Sequence, residues 1–135
     1  MTASLRLLLA LAAVSVVAAA ASIVTIEWQT SSQLKETAEQ LAGGSAAAGR
    51  QAFQRYGCGS CHAVTLVPGA EGQVGPALGG IATRAELAGR LANTPANMRR
   101  WIQHPQQVAP GNGMPDLGVT NRDAHDLGAY LYTLQ

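Results

Sequence analysis

The hydrophobic pattern divides the chain into two unlike parts. Residues 7–26 form an apolar run without a charge, preceded by Arg6 and followed by Trp28. A run of about 20 apolar residues is long enough to span a bilayer, whereas the apolar core of a secretory signal needs only about 7–15. Ala18-Ala19-Ala20 also suits a small-residue cleavage site, so both a signal-anchor helix and a cleaved signal are open. The length favours the anchor, and Trp28 suits a membrane–water interface. Either way Arg6 stays inside and the remainder faces the export side.

Beyond the run, residues 31–41 are polar and helix-compatible, with Leu34, Ala38 and Leu41 on one face and Ser32 as a cap. They continue the first helix or form a short stalk. Gly43-Gly44-Ser45-Ala46-Ala47-Ala48 reads as a flexible linker. The expected division is a helix over 1–27, a stalk and linker over 28–48, and a globular domain over 49–135. Within that domain the spacing predicts helices over 50–56, 97–104 and 123–134, and a weaker one over 84–91. Pro105 stops the second, lacking an amide donor and clashing one turn back. Leu127, Tyr130, Leu131 and Leu134 give the third an apolar stripe. The rest is loop rich in Gly and Pro, with no alternating strand pattern. An all-α fold with long loops is expected, of the kind that wraps around an internal anchor.

Composition changes that picture in two ways. Net charge is +1 and only 13% of residues are charged, which argues against nucleic acid as a partner. One Phe, two Trp and three Tyr are few for a domain core. Small domains often recruit a cofactor to make up such a deficit.

The chemistry lies in Cys58-Gly59-Ser60-Cys61-His62, a C-x-x-C-H haem-attachment motif. Two thiols three residues apart on a tight turn reach two vinyl groups of one porphyrin, and His62 then lies beneath the iron as proximal ligand. A thioredoxin-like pair would expect a βαβ context. A zinc site would need a second Cys or His pair. The sequence offers neither. Met98, His104, Met114 and His125 are the candidates for a sixth ligand. Met98 falls inside a helix and suits core packing. His104 precedes Pro105 at a helix end, and His125 reads as a solvated residue. Met114 stands in Pro110-Gly111-Asn112-Gly113-Met114-Pro115, a loop with no helix to pack it. It is the preferred ligand.

These residues together resemble the class I cytochromes c over residues 49–135. Gly49, Phe53 and the motif look like the family's first helix and haem site. Val74-Gly75-Pro76-Ala77-Leu78 is similar to its Gly-Pro-x-Leu segment. The resemblance implies that the Pro76 carbonyl accepts the proximal imidazole N–H. It also implies that Pro76 and Trp101 join Cys58, Cys61, His62 and Met114 around one covalent haem c. Gly49 and Tyr130 would meet where the first and last helices cross. Asn93-Thr94-Pro95-x-Asn97, with Trp101-Ile102 and Pro105-Gln106, is similar to cytochrome domains fused to subunit II of haem-copper oxidases. The copper-binding domain is missing here.

The resemblance implies outer-sphere electron transfer with no catalytic residues and no small-molecule substrate. The implied setting is the bacterial inner membrane, single-pass, with the haem domain on the periplasmic or outer side. Implied partners are redox proteins: a terminal oxidase, a quinol-oxidising complex or a dehydrogenase. A soluble periplasmic form, a dehydrogenase's cytochrome subunit and a ligand-binding or sensor haem are the rivals. Ala63, Val64, Val67 and Pro76 are expected at an apolar rim. With a single Lys in the chain, Lys35, no basic docking ring is expected. A flexible tether, worth an effective concentration of order mM, would replace charge steering.

Overall fold

The computed structural model describes residues 2–65 and 67–135; Met1 and Leu66 lie outside the described residues. Among the described residues five α-helices run in the order α1 (Ala3–Ala42), α2 (Ala46–Arg55), α3 (Pro95–Gln103), α4 (Pro105–Val108) and α5 (Asn121–Leu131). Two short strands, β1 (Glu86–Leu87) and β2 (Leu91–Ala92), pair antiparallel.

The chain forms two compact units. One ends at Leu34 and the other is Lys35–Gln135. The N-terminal unit is helical, and its apolar side chains are exposed, among them Leu7, Val16 and Ile23. Ser15, Ser22 and Thr25 donate to the carbonyls of Leu11, Ala18 and Ser22, so these three hydroxyls are satisfied within the helix itself. By length and composition α1 is able to cross a membrane, a test that a signal helix also passes.

In the second unit, α2 and α5 cross at close range, and small residues permit it. A Cβ placed on Gly49 would collide with the Asp126 carbonyl and come within 2.7 Å of Tyr130 Cβ. Phe53 meets the Tyr130 ring edge-on at 5.7 Å. Phe53, Met98 and Leu127 are among the largest fully buried side chains. α3 adds Met98 and Ile102 to the same core. Each of these helices starts on a side-chain cap: Ser45 for α2, Thr94 for α3 and Thr120 for α5.

The segment expected to be a flexible linker is different. α1 continues to Ala42, and Ala38, Ala42 and Ala46 are buried in the core of the second unit. Residues 43–45 make a tight turn and 46–48 are the first turn of α2. The Asp126 carboxylate accepts the Ser45 N–H at 2.7 Å, and Glu39 accepts the Ala46 N–H at 2.8 Å. Two carboxylates at the N-terminus of α2 also complement its dipole. His125, read from sequence as solvated, is half-buried, with Nδ1 2.7 Å from the Ala42 carbonyl. Gly44 lies so close to α5 that a Cβ would approach Asp126 N to 2.6 Å. Small residues here serve close packing, not mobility. The weak helix expected over 84–91 is instead the β1–β2 hairpin. Ala88 and Gly89 both have positive φ (53° and 62°), and the Arg90 N–H returns to the Leu87 carbonyl, which turns the chain within the three residues between paired Leu87 and Leu91.

Candidate haem site

The C-x-x-C-H motif follows α2 directly. Tyr56 ends that helix, and Gly57 at φ 68° reverses the chain into a 3₁₀ turn over Cys58–Ser60. Glycine is the residue that takes this conformation without strain. The N–H groups of Cys61 and His62 both point back to the Cys58 carbonyl, at 3.2 and 3.0 Å. The two cysteines are free thiols and half-buried. Burial pushes the Cys58 thiol above its ordinary pKa; a backbone hydrogen bond opposes the shift and neighbouring Cys61 adds to it.

The loop after the motif folds back and straps it. Gly72 N–H bonds to the Gly59 carbonyl, Gly75 N–H to Cys61 and Leu78 N–H to Ala63, at 3.0, 2.8 and 2.9 Å. The strap lies against the imidazole: a Cβ on Gly75 would sit 2.6 Å from His62 Nδ1. His62 Nδ1 is 2.8 Å from the Pro76 carbonyl. A carbonyl only accepts, so Nδ1 is the donor in this contact and Nε2 is the ring nitrogen left for another partner. Among the described residues no hydrogen bond takes Nε2. An imidazole with its ring fixed through Nδ1 and Nε2 unengaged beside two cysteines fits an axial haem ligand. The Arg84 guanidinium steadies the strap by donating to the carbonyls of Ala77 and Gly79, at 2.6 and 3.1 Å.

Met114 stands in a half-exposed loop beyond α4. Its N–H is held by Asn112 Oδ1 and its carbonyl by Gln106 Nε2, each at 2.7 Å. Trp101 is half-buried on α3. Among the described residues no hydrogen bond or ring contact joins Met114 or Trp101 to His62. Of the other candidate ligands, Met98 is 2% exposed in the core, His104 is an exposed residue between α3 and α4, and His125 is tied to Ala42. Pro76 and Ala63 are accessible, but Val64, expected at an apolar rim, is buried.

Three contributors were given no part in holding the site from the sequence alone. Arg84, Gln106 and Asn112 act on backbone carbonyls and amides, which leave no compositional trace. An Asn two residues before a loop Met is a local turn signal that was available. Asp123 is a fourth: it accepts from Arg55, Tyr56 and Thr120 at 2.8, 2.8 and 3.0 Å. It thereby clips the residues just before the motif to the residue at which the Met114 loop enters α5.

The Cytochrome c family model matches residues 46–135. The chain belongs to the cytochrome c family. The family is one of haem-bearing electron carriers, so haem c is the cofactor implied by Cys58 and Cys61, and electron transfer is the activity. The chain is similar to cytochrome c oxidase subunit 2 of Alkalihalophilus pseudofirmus, 36% identical over 106 residues, covering 78% of this chain and 29% of that protein. The corresponding subunit of Bacillus sp. strain PS3 is 31% identical, over 63% of this chain and 25% of its own length. This chain thus spans under a third of either oxidase subunit. A cytochrome c2 of Agrobacterium tumefaciens is 35% identical over 104 residues, and 90% of its length is covered. No solved structure shows a significant match.

Proposed function

We propose that this cytochrome is a membrane-tethered single-electron carrier of a respiratory chain, passing electrons between a quinol-oxidising complex and a terminal oxidase. Cys58 and Cys61 would each hold the haem by a thioether, with His62 and Met114 as axial ligands and Trp101 beside the macrocycle. The observation that carries this reading is the His62 imidazole, with Nδ1 committed to Pro76 and Nε2 left free within the C-x-x-C-H turn. Haem c, when bound, supplies a one-electron iron couple, and a thioether ligand favours its reduced state.

The chain's own residues do the rest. Pro76 orients His62 and makes it a better donor. The strap over residues 72–78 holds the ring against rotation, and Arg84 holds the strap. With His62 and Met114 both engaged, no position is left for a substrate, so no residue need serve as acid, base or nucleophile. α1 supports the membrane setting by its length and apolar surface. The likeness to oxidase subunits supports the choice of an oxidase as acceptor.

The test is to solubilise native membranes in mild detergent, capture the protein by its C-terminus and identify the haem-containing chains that accompany it. Copurification with a haem-copper oxidase or a quinol-oxidising complex is the expected result. Recovery in the soluble fraction with a dehydrogenase would overturn both the tether and the respiratory assignment.

A further inference from the structure

The loop bearing Met114 turns through left-handed glycines at Gly111 and Gly118, and Leu117 in it is 40% exposed. Two side-chain amides fix the backbone of Met114.

Gln106 lies on α4 beside Pro105, whose ring is fully buried. Its Nε2 donates to the carbonyls of Asn112 and Met114 at 2.9 and 2.7 Å, while its Oε1 accepts the Gly111 N–H at 3.1 Å. Asn112 Nδ2 donates to the carbonyls of Pro105 and Ala109 at 2.9 and 2.6 Å, while its Oδ1 accepts the Met114 N–H. Both backbone groups of Met114 are thus held by side chains that are themselves tied to α4 or to the residue after it. Each role needs two donors and one acceptor on a single planar head, which a primary amide supplies. A carboxylate at 106 would face two carbonyls with no proton to offer.

We infer that Gln106 and Asn112 are positioning residues for the sulfur ligand: they set how firmly Met114 stays in place, and so how closed the sixth position is to outside ligands. The inference rests on Met114 being that ligand. Each amide makes three hydrogen bonds; with water replacing most of what is lost, its removal corresponds to roughly a tenfold rise in the open population.

The experiment uses the haem-loaded full chain in mild detergent, with carbon monoxide as the probe. Gln106→Met, Gln106→Glu and Asn112→Ala are compared with wild type, with Gln107→Met as an exposed control and with Met114→Ala. The readouts are the carbon monoxide association rate of the ferrous protein and the far-red iron–thioether absorption of the ferric protein. The expected result is a rate about tenfold faster and a weaker far-red band in the three amide variants, with Gln107→Met like wild type. Wild-type rate and band in those variants, while Met114→Ala abolishes the band, would overturn the positioning role alone. A band that survives Met114→Ala would overturn the ligand assignment and this inference with it. Should the variants not fold, hydrogen exchange in the wild type decides. The Gly111 and Met114 amides should exchange more slowly than that of Gly113, and equal rates would overturn the inference.

Discussion

Gly49→Ala isolates the α2–α5 crossing, because two opposing effects of known size meet there. In an isolated helix the change would help, since alanine is favoured over glycine by about 1 kcal/mol. In this structure the new methyl would collide with the Asp126 carbonyl and stand 2.7 Å from Tyr130 Cβ. Carbon atoms in contact prefer about 3.5–4.0 Å, so relief requires the helices to separate by about 1 Å. The obstacle on the Asp126 side is backbone, which has no rotamer to yield. Overpacking costs about 1–3 kcal/mol, and a clash with backbone that also loosens Phe53 and Tyr130 belongs at about 3 kcal/mol, the upper end. With the propensity gain subtracted, the net loss should be about 2 kcal/mol, or about 8–16 °C in Tm for a domain of this size. Denaturant and thermal unfolding of the haem-loaded protein, followed by haem absorption and near-ultraviolet circular dichroism, would measure it. Ala47→Gly, at an exposed site on the same helix, should cost about 1 kcal/mol and calibrates the propensity contribution. An unchanged or raised midpoint for Gly49→Ala would refute the close crossing.

Two further outcomes follow from other sites. Ala88→Asn should raise stability by about 0.5–1 kcal/mol, since Ala88 sits at φ 53°, where asparagine is better tolerated; the unfolding midpoint checks it. The Tyr56 hydrogen bond, together with Thr120 and Arg55, holds the Asp123 carboxyl below its ordinary pKa against a smaller opposing effect of desolvation. A depressed carboxylate contributes stability that is complete above its unfolded pKa and is lost as pH falls through the folded value. Wild type should therefore lose midpoint below about pH 4 more steeply than Asp123→Asn, and parallel pH curves would refute the clip.

The sequence made the haem motif and the three main helices of the cytochrome unit legible because both are local signals. C-x-x-C-H is contiguous, and Leu127, Tyr130 and Leu131 repeat at helical spacing. The start of α3 was read at 97 and that of α5 at 123, whereas they begin at Pro95 and Asn121. Residues 97 and 123 are those whose N–H groups are caught by the caps Thr94 and Thr120, and the caps went unread. Gly43-Gly44-Ser45 was misread for a deeper reason. Small residues signal either a slack chain or two backbones in contact, and composition does not separate the two. The hold on Met114 was hidden because Gln106 and Asn112 bond to main-chain atoms, which every residue carries.

The buried turn at residues 43–45 separates two boundaries that usually coincide. The family's likeness begins at residue 46, but the compact unit begins at Lys35. The end of α1 from Lys35 is therefore about a twelfth of that unit by length and part of its core through Ala38 and Ala42. A cut placed where the family begins would uncover Gly128, 3.5 Å from Ala42 Cβ if it bore a side chain, and would free the Asp126 carboxylate from its Ser45 partner. A truncation meant to leave the compact unit whole has to fall upstream of Lys35.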